Sequence, residues 1–388
     1  VRVLVVTPWY PSAEHPIEGA FVRDQARGIA QHDDVLVLHV TESKGSGRKV
    51  SGPTGEKQMR IVCEESDDGY SVVRVSWQDG RGPAAGRRTA ALMAALGGLR
   101  RRGFRPDVVH AQIGSASLPA LLAARRLSVP LVVTEQWSRL MDLDPRLLSR
   151  QQRLRARFVY THADAVLAVG SELRSAIKHF APRARVLVVP NPVDTEVFHP
   201  SLRPSAPPSE PRRLVNIGRL VDYKGVQHLL AAVRILADGG RAVRLDVIGE
   251  GPARSDLEKL AVRLGLEHTV VFHGQRTKES FAGLVAAADA CVVPGDFETF
   301  CVAGAEALAC GTPVVATMCG GPQDYVTRLT GRLVPPRNPE AMAAAIAEVL
   351  DRSDIAAPRD IAEQTARRFS IPAVGRQLHD IYSQLSTR

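Results

Sequence analysis

Apolar and polar positions along the chain follow two alternating periods. Short β-branched runs read as buried strands, and stretches with apolar residues three and four apart read as amphipathic helices. Val1 to Val6 and Val35 to Val40 are such strands, and between them Ala20 to Gln31 places Phe21, Val22, Ala26 and Ile29 at helical spacing. Ile61 to Trp77 reads as two strands joined by a turn at Asp67 to Gly69. Helix Arg87 to Arg102, strand Pro106 to His110, a small-residue loop at Gly114 to Ser117, helix Leu118 to Leu127 and strand Val129 to Thr134 continue the alternation. Arg150 to Tyr160 is helical, Ala165 to Val169 a strand, Ser171 the cap of a helix over Glu172 to Phe180, and Val186 to Val189 the last strand of this half.

His199 to Arg213 is dense in Pro and Ser, lacks an apolar period and reads as a linker. The alternation then restarts. Strands are expected at Leu214 to Ile217, Leu245 to Ile248, Val270 to His273, Ala290 to Val293, Val314 to Ala316 and ending at Leu333 to Pro335. Helices are expected at Val226 to Ala237, Leu257 to Leu264, Phe281 to Ala287, Ala303 to Ala309, Ala341 to Leu350 and Ile361 to Leu385. Strand–helix alternation of this kind requires parallel sheets with helices on their faces. The fold class is therefore α/β, with two Rossmann-like domains facing across a cleft. The expected units are residues 1–198, a linker at 199–213, a second domain at 214–365, and a terminal helix at 366–388.

Ligands in such sheets bind outside the carboxyl ends of the strands. That rule puts Gln112 and Glu135 to Ser138 at the cleft mouth of the first half. Gly19 precedes a helix, where backbone can approach a ligand closely; the plain alternative is an ordinary loop glycine. Arg219 and Lys224 lie on one loop after a strand and can both point at one diphosphate, Arg as a planar fork and Lys as a point charge. Glu298 and Glu306 have seven residues between them, the first in a loop entering a helix and the second inside it. A pair eight apart on a helix spans roughly 12 Å, which suits the two ends of a long, hydroxyl-rich ligand. The N–H groups at the helix start between them would seat a phosphate. Carboxylate, helix N-terminus and carboxylate describe a pocket for a nucleotide sugar, although either Glu alone reads equally as a solvated surface acid.

These residues resemble the E-x7-E signature of the family four retaining glycosyltransferases, together with the A-L-A-C-G-T-P-V-V-A-T run from Ala307 and the Gly320-Gly321 turn. The resemblance extends to G-R-L-x-x-x-K-G at Gly218 to Gly225, to P-N-x-V-D at Pro190 to Asp194, and to the G-x-F segment at Gly19. It implies the GT-B fold and transfer of a sugar with retained configuration. By resemblance, Glu298 holds the donor sugar, Glu306 the ribose, and Arg219 and Lys224 the diphosphate. Gly19 abuts the phosphates, and the strand ends at Gly249 and Arg276 flank the base. Gly218, Gln136, Phe300, Cys301 and Val302 complete the donor-binding positions. The acceptor oxygen attacks on the face the nucleotide leaves, and the departing phosphate takes its proton. None of the segments that carry the resemblance contains a D-x-D metal site, so neither metal nor cofactor is expected. Three positions depart from the family pattern: Gln112 and Gln136 stand where His is usual, and Cys301 where Gly is usual. Gln hydrogen-bonds but does not titrate, which leaves the sugar preference open. A sugar-nucleotide epimerase on the same fold would need further acid–base groups, and a non-catalytic nucleotide-sugar-binding subunit would not need to keep all four charged residues.

Composition changes this picture little. Net charge is +9, which fits an anionic donor, peripheral contact with the inner face of a membrane, or nucleic acid. Genomic base composition would produce the same Arg bias without any function. Nucleic acid ranks last because no aromatic residues interleave with the basic ones. Helix Arg87 to Arg102 is the candidate for lying on lipid, and core packing is its alternative. The five cysteines show no metal spacing and read as packed, reduced thiols. No signal segment is expected at the N-terminus, and the chain reads as near-complete and cytoplasmic. The expected partners are a nucleotide sugar and an acceptor that is a lipid, a saccharide or a small natural product.

Overall fold

In a computed structural model of the chain the strand runs assemble into two separate sheets. The structure describes residues 1–12, 15, 17–43, 59–65, 69–78, 84–101, 103–141, 148–204, 210–351 and 354–387. The first sheet contains β1 (Arg2–Thr7), β2 (Asp34–Ser43), β3 (Met59–Glu65), β4 (Ser71–Gln78), β5 (Val108–Gln112), β6 (Leu131–Glu135), β7 (Ala165–Ala168) and β8 (Val186–Val188), in the order β3-β4-β2-β1-β5-β6-β7-β8. Only the β3–β4 pair is antiparallel. The helices of this half are α1 (Ala20–Ala30), α2 (Ala84–Arg101), α3 (Gly114–Leu127), α4 (Arg150–His162) and α5 (Ser171–Phe180).

The second sheet contains β9 (Arg212–Ile217), β10 (Val243–Ile248), β11 (Val270–Gly274), β12 (Ala290–Val293), β13 (Val314–Thr317) and β14 (Gly331–Val334), all parallel, in the order β11-β10-β9-β12-β13-β14. Its helices are α6 (Val226–Asp238), α7 (Arg254–Arg263), α8 (Lys278–Ala287), α9 (Val302–Ala309) and α10 (Pro339–Asp351). Two more helices, α11 (Pro358–Phe369) and α12 (Ile371–Ser386), end the chain. Among the described residues no helix is long and apolar enough to cross a membrane.

Burial on both faces explains why the strands read as near-continuous apolar runs. In β1, Val3 and Val5 face one layer and Leu4 and Val6 the other, and all four are buried. The tail is two helices, not one. Ser370 breaks it in an extended conformation, its Oγ accepting the N–H of Ala373 at 3.3 Å, with Pro372 just inside the new helix. Helix α12 then returns to the first sheet and packs on α1. A Cβ on Gly375 would lie 2.2 Å from the carbonyl oxygen of Gly28, so only glycine lets the two helices approach this closely.

Several sequence expectations are corrected. Helix α3 starts at Gly114, so the expected loop over Gly114 to Ser117 is its first turn. Small residues belong there because a Cβ on Gly114 would meet Glu135 Oε2 at 2.7 Å. Ser171 is the first residue of α5, and its side chain caps nothing. Asp324 of the second half accepts the Ser171 N–H at 2.7 Å and supplies the missing acceptor. Of the two readings of α2, core packing holds, with Leu92, Leu96 and Leu99 buried. Most of the expected loop Thr41 to Gln58, the centre of the turn at Asp67 to Gly69 and the middle of the linker lie outside the described residues.

Candidate active site

Strand order decides where the charged residues meet. In the second sheet, β9 lies between β10 and β12, and the connections leave it in opposite directions. The crevice at such a switch point is where open α/β sheets bind ligands. The loop after β9 carries Gly218, Arg219 and Lys224, and the loop after β12 carries Glu298. The Lys224 ammonium is ion-paired with the Glu298 carboxylate across this crevice. Burial pushes the Lys224 pKa down, but Glu298 outweighs it and leaves the pKa above its ordinary value. Lys224 is therefore a fixed cation at any physiological pH. Arg219 is exposed and donates to the Tyr223 hydroxyl at 2.7 Å, and the Tyr223 ring stacks on Phe297 at 4.6 Å. Gly218, Arg219, Lys224, Glu298 and Cys301 line one small pocket.

The Gly320-Gly321 turn holds Glu298 in place. Glu298 pairs with Gly320 in an isolated parallel bridge; its N–H donates to the Cys319 carbonyl at 2.7 Å, and its carbonyl accepts the Gly321 N–H at 2.8 Å. A Cβ on Gly321 would stand 2.3 Å from the backbone of Phe300, so any side chain there would push the Glu298 strand away. Cys301 begins α9 at φ 64°, the left-handed conformation that glycine adopts without strain. The backbone thus keeps a glycine-like form although the residue is Cys. Burial pushes the Cys301 thiol up to about 12, so it stays protonated.

A larger cavity of about 570 Å³ adjoins this pocket and shares Ile217, Gly218 and Arg219 with it. It opens between the halves. Ala20, Phe21 and Asp24 of α1 line one side; Gly249, Arg276, Val302 and Glu306 line the other. Glu306 is buried, and burial raises its pKa while Lys278 opposes the rise. Lys278 Nζ lies 3.1 Å from Glu306 and 2.8 Å from Asp24, so one ammonium joins two carboxylates across the cleft. Sequence reading did not find Lys278 or Asp24, because their partnership spans 254 residues and neither sits in a motif. Gly19, at φ 72°, starts α1 beside this cavity. The Phe300 ring is placed elsewhere: it is buried against Tyr325 and Phe369.

The first half contributes a different surface. Gln112 is fully buried, and its Nε2 donates to Gln25 Oε1 at 2.7 Å. Gln25 Nε2 donates to Asn191 Oδ1 at 3.1 Å, and Asn191 Nδ2 donates to Gln136 Oε1 at 3.0 Å. Every amide in this chain points the same way, which leaves the Gln136 NH2 group as its outgoing donor. Behind it, His110 contacts Thr134 Oγ1 at 2.7 Å and Tyr382 of α12 at 2.6 Å. Burial drives the His110 pKa down to about 3, so the ring is neutral. Glu135 is not at the cleft mouth. It is buried, accepts the N–H groups of Gln136 and Trp137 at 2.8 Å, and is hydrogen-bonded by Tyr160 of α4. Its role is to hold the loop that presents Gln136.

Two parallel α/β halves with charged loops converging on a cleft define the class: the fold is GT-B, the two-domain architecture of many glycosyltransferases. Sucrose-phosphate synthase from Thermosynechococcus elongatus superposes over all of both chains with a TM-score of 0.77 at 20% identity. Residues 18–192 match the glycosyl transferase 4-like domain, and residues 200–368 match the glycosyl transferases group 1 model. The chain belongs to the group 1 glycosyltransferases. It is 31% identical over 313 residues to D-inositol 3-phosphate glycosyltransferase of Thermobispora bispora, covering 73% of this chain and 72% of that one. It is 27% identical to glycogen synthase of Mycobacterium tuberculosis, covering 90% and 86%.

Proposed function

We propose that the chain transfers a sugar from a nucleoside-diphosphate donor to an acceptor hydroxyl, with retained anomeric configuration and without a metal ion. The observation that carries this reading is the meeting of Lys224 and Glu298 at the β9–β12 switch point, beside Arg219 and a cavity reaching Glu306. Lys224 has three donors, so one directed at Glu298 leaves two for phosphate oxygens. With the Arg219 fork they offset the charge that develops on the diphosphate as the glycosidic bond breaks. Glu298 accepts from sugar hydroxyls and Glu306 from the ribose. Gly249 and Arg276 border the base, and Gln136 reaches the sugar from the other half. The first half takes the acceptor, and the second takes the donor.

Retention follows from same-face attack. The acceptor oxygen bonds to the anomeric carbon as the carbon–phosphate-oxygen bond breaks, and the acceptor proton passes to that departing oxygen. No covalent intermediate is required, and the protonated thiol of Cys301 is a poor nucleophile for one. The acceptor is a lipid, a saccharide or a small natural product, and the place of action is the cytoplasm.

A thermal-shift screen of nucleotide sugars identifies the donor, and proton NMR of the product then reads the anomer. The expected product keeps the donor's configuration, and turnover is unchanged by EDTA. An inverted product, or activity restored to the chelated enzyme only by added metal, contradicts the mechanism.

A further inference from the structure

We propose that the outward face of α4 docks the protein on an anionic lipid surface. Helix α4 carries Arg150, Arg153, Arg155 and Arg157 and no acidic residue. Among the described residues no carboxylate forms an ion pair with any of these four. Between them Leu154 and Phe158 point into solvent, 62% and 52% exposed. Residues four apart lie on one face of a helix, so the two apolar side chains form one ridge with guanidinium groups on its flanks. Arg150, Arg153 and Arg157 also border a groove of about 370 Å³ closed by His179 and Phe180, and the Arg153 guanidinium lies 5.2 Å from the centre of the Phe180 ring. Three guanidinium groups around one groove suit a phosphate headgroup.

Exposed Leu and Phe are unfavourable in water, and clustered arginines repel one another. An anionic membrane relieves both at once, with apolar tips in the acyl boundary and arginines at the headgroups. A symmetric pair of copies meeting through this face does not, because it would bring four more arginines against the first four. The apolar residues Leu92, Leu96 and Leu99 of α2 are buried, whereas Leu154 and Phe158 of α4 stay outside. The inner face of α4 supplies Tyr160 to Glu135, so the docked helix is also the one that steadies the Gln136 loop.

The test is flotation of the full chain with vesicles of phosphatidylcholine alone, or of equal parts phosphatidylcholine and phosphatidylglycerol. Wild type is expected to float only with the anionic vesicles and to be released by high salt. Arg153→Gln with Arg157→Gln should lower the partition coefficient about five-fold per residue, and Leu154→Ser with Phe158→Ser should lower it comparably. Both variants should melt as wild type does and bind nucleoside diphosphate with unchanged affinity. Wild type that ignores anionic vesicles overturns the proposal, as does variant binding equal to wild type. Loss of a dimer or of duplex DNA binding in the variants, with vesicle binding untouched, would assign the face to those partners and overturn it equally.

Discussion

The two halves flank the cleft with different networks, ion pairs in the second and a chain of amides in the first. The second half presents Arg219, Lys224, Lys278, Glu298 and Glu306, with ion pairs already formed among them. Beside Arg23 and Asp24, which line the cavity, the first half carries a chain of neutral amides, Gln112, Gln25, Asn191 and Gln136, backed by a histidine that burial keeps uncharged. A wall of fixed charges suits a ligand whose charge changes during reaction. A wall of oriented amides suits hydroxyl groups, which keep their charge. Under the proposed function the difference would separate binding of the diphosphate from orientation of the sugar, and each network can be broken without breaking the other.

The largest effect is expected on the charged wall. Glu298→Ala should cut turnover about 10²- to 10³-fold while leaving the melting temperature near that of wild type. Near-normal turnover would remove Glu298 from the reaction. On the amide wall, Asn191→Asp is the sharper probe because it changes shape little and deletes one donor. Gln136 would then turn its NH2 group toward the new carboxylate and its oxygen toward the ligand. The expected result is a donor KM raised about ten-fold with kcat less affected; an unchanged KM would show that the amide orientation carries no weight.

The smallest effect is on stability. His110 has its folded pKa at about 3, below the ordinary 6.5, so the native state binds fewer protons between those values. Stability should be full above the unfolded value and fall as pH drops below it, by at most about 1.4 kcal/mol per unit. Urea melts at successive pH values check the sign, and a His110→Gln chain should lack this part of the acid limb.

Legibility in the sequence also differs between the walls. The loops after β9 and β12 were readable because their residues are close in sequence to strand ends, and a parallel sheet sends all strand ends to one side. Arg219, Lys224 and Glu298 line one pocket, and Arg219 and Glu306 line the cavity that adjoins it. The amide wall was readable only in part. Gln112 and Gln136 stood at strand ends, but Gln25 lies inside α1 and meets Asn191 across 166 residues, which no local pattern reveals. The same holds for Lys278 with Asp24, and for Asp324 capping α5. Phe300 adjoins the site in sequence, but nothing local shows that its ring turns into the core. For α2 and α4, an apolar stripe says that a face is covered, not by what. Packing decided that α2 faces protein and α4 faces outward.

The most direct measurement is calorimetric titration of nucleoside diphosphate, without added metal, into wild type and into Lys224→Ala. Measurable binding by wild type and an affinity about ten- to a hundred-fold lower in the variant are predicted, because one charge-assisted contact to the diphosphate is lost. Equal affinity in the two chains would place the diphosphate somewhere other than the crevice between β9 and β12.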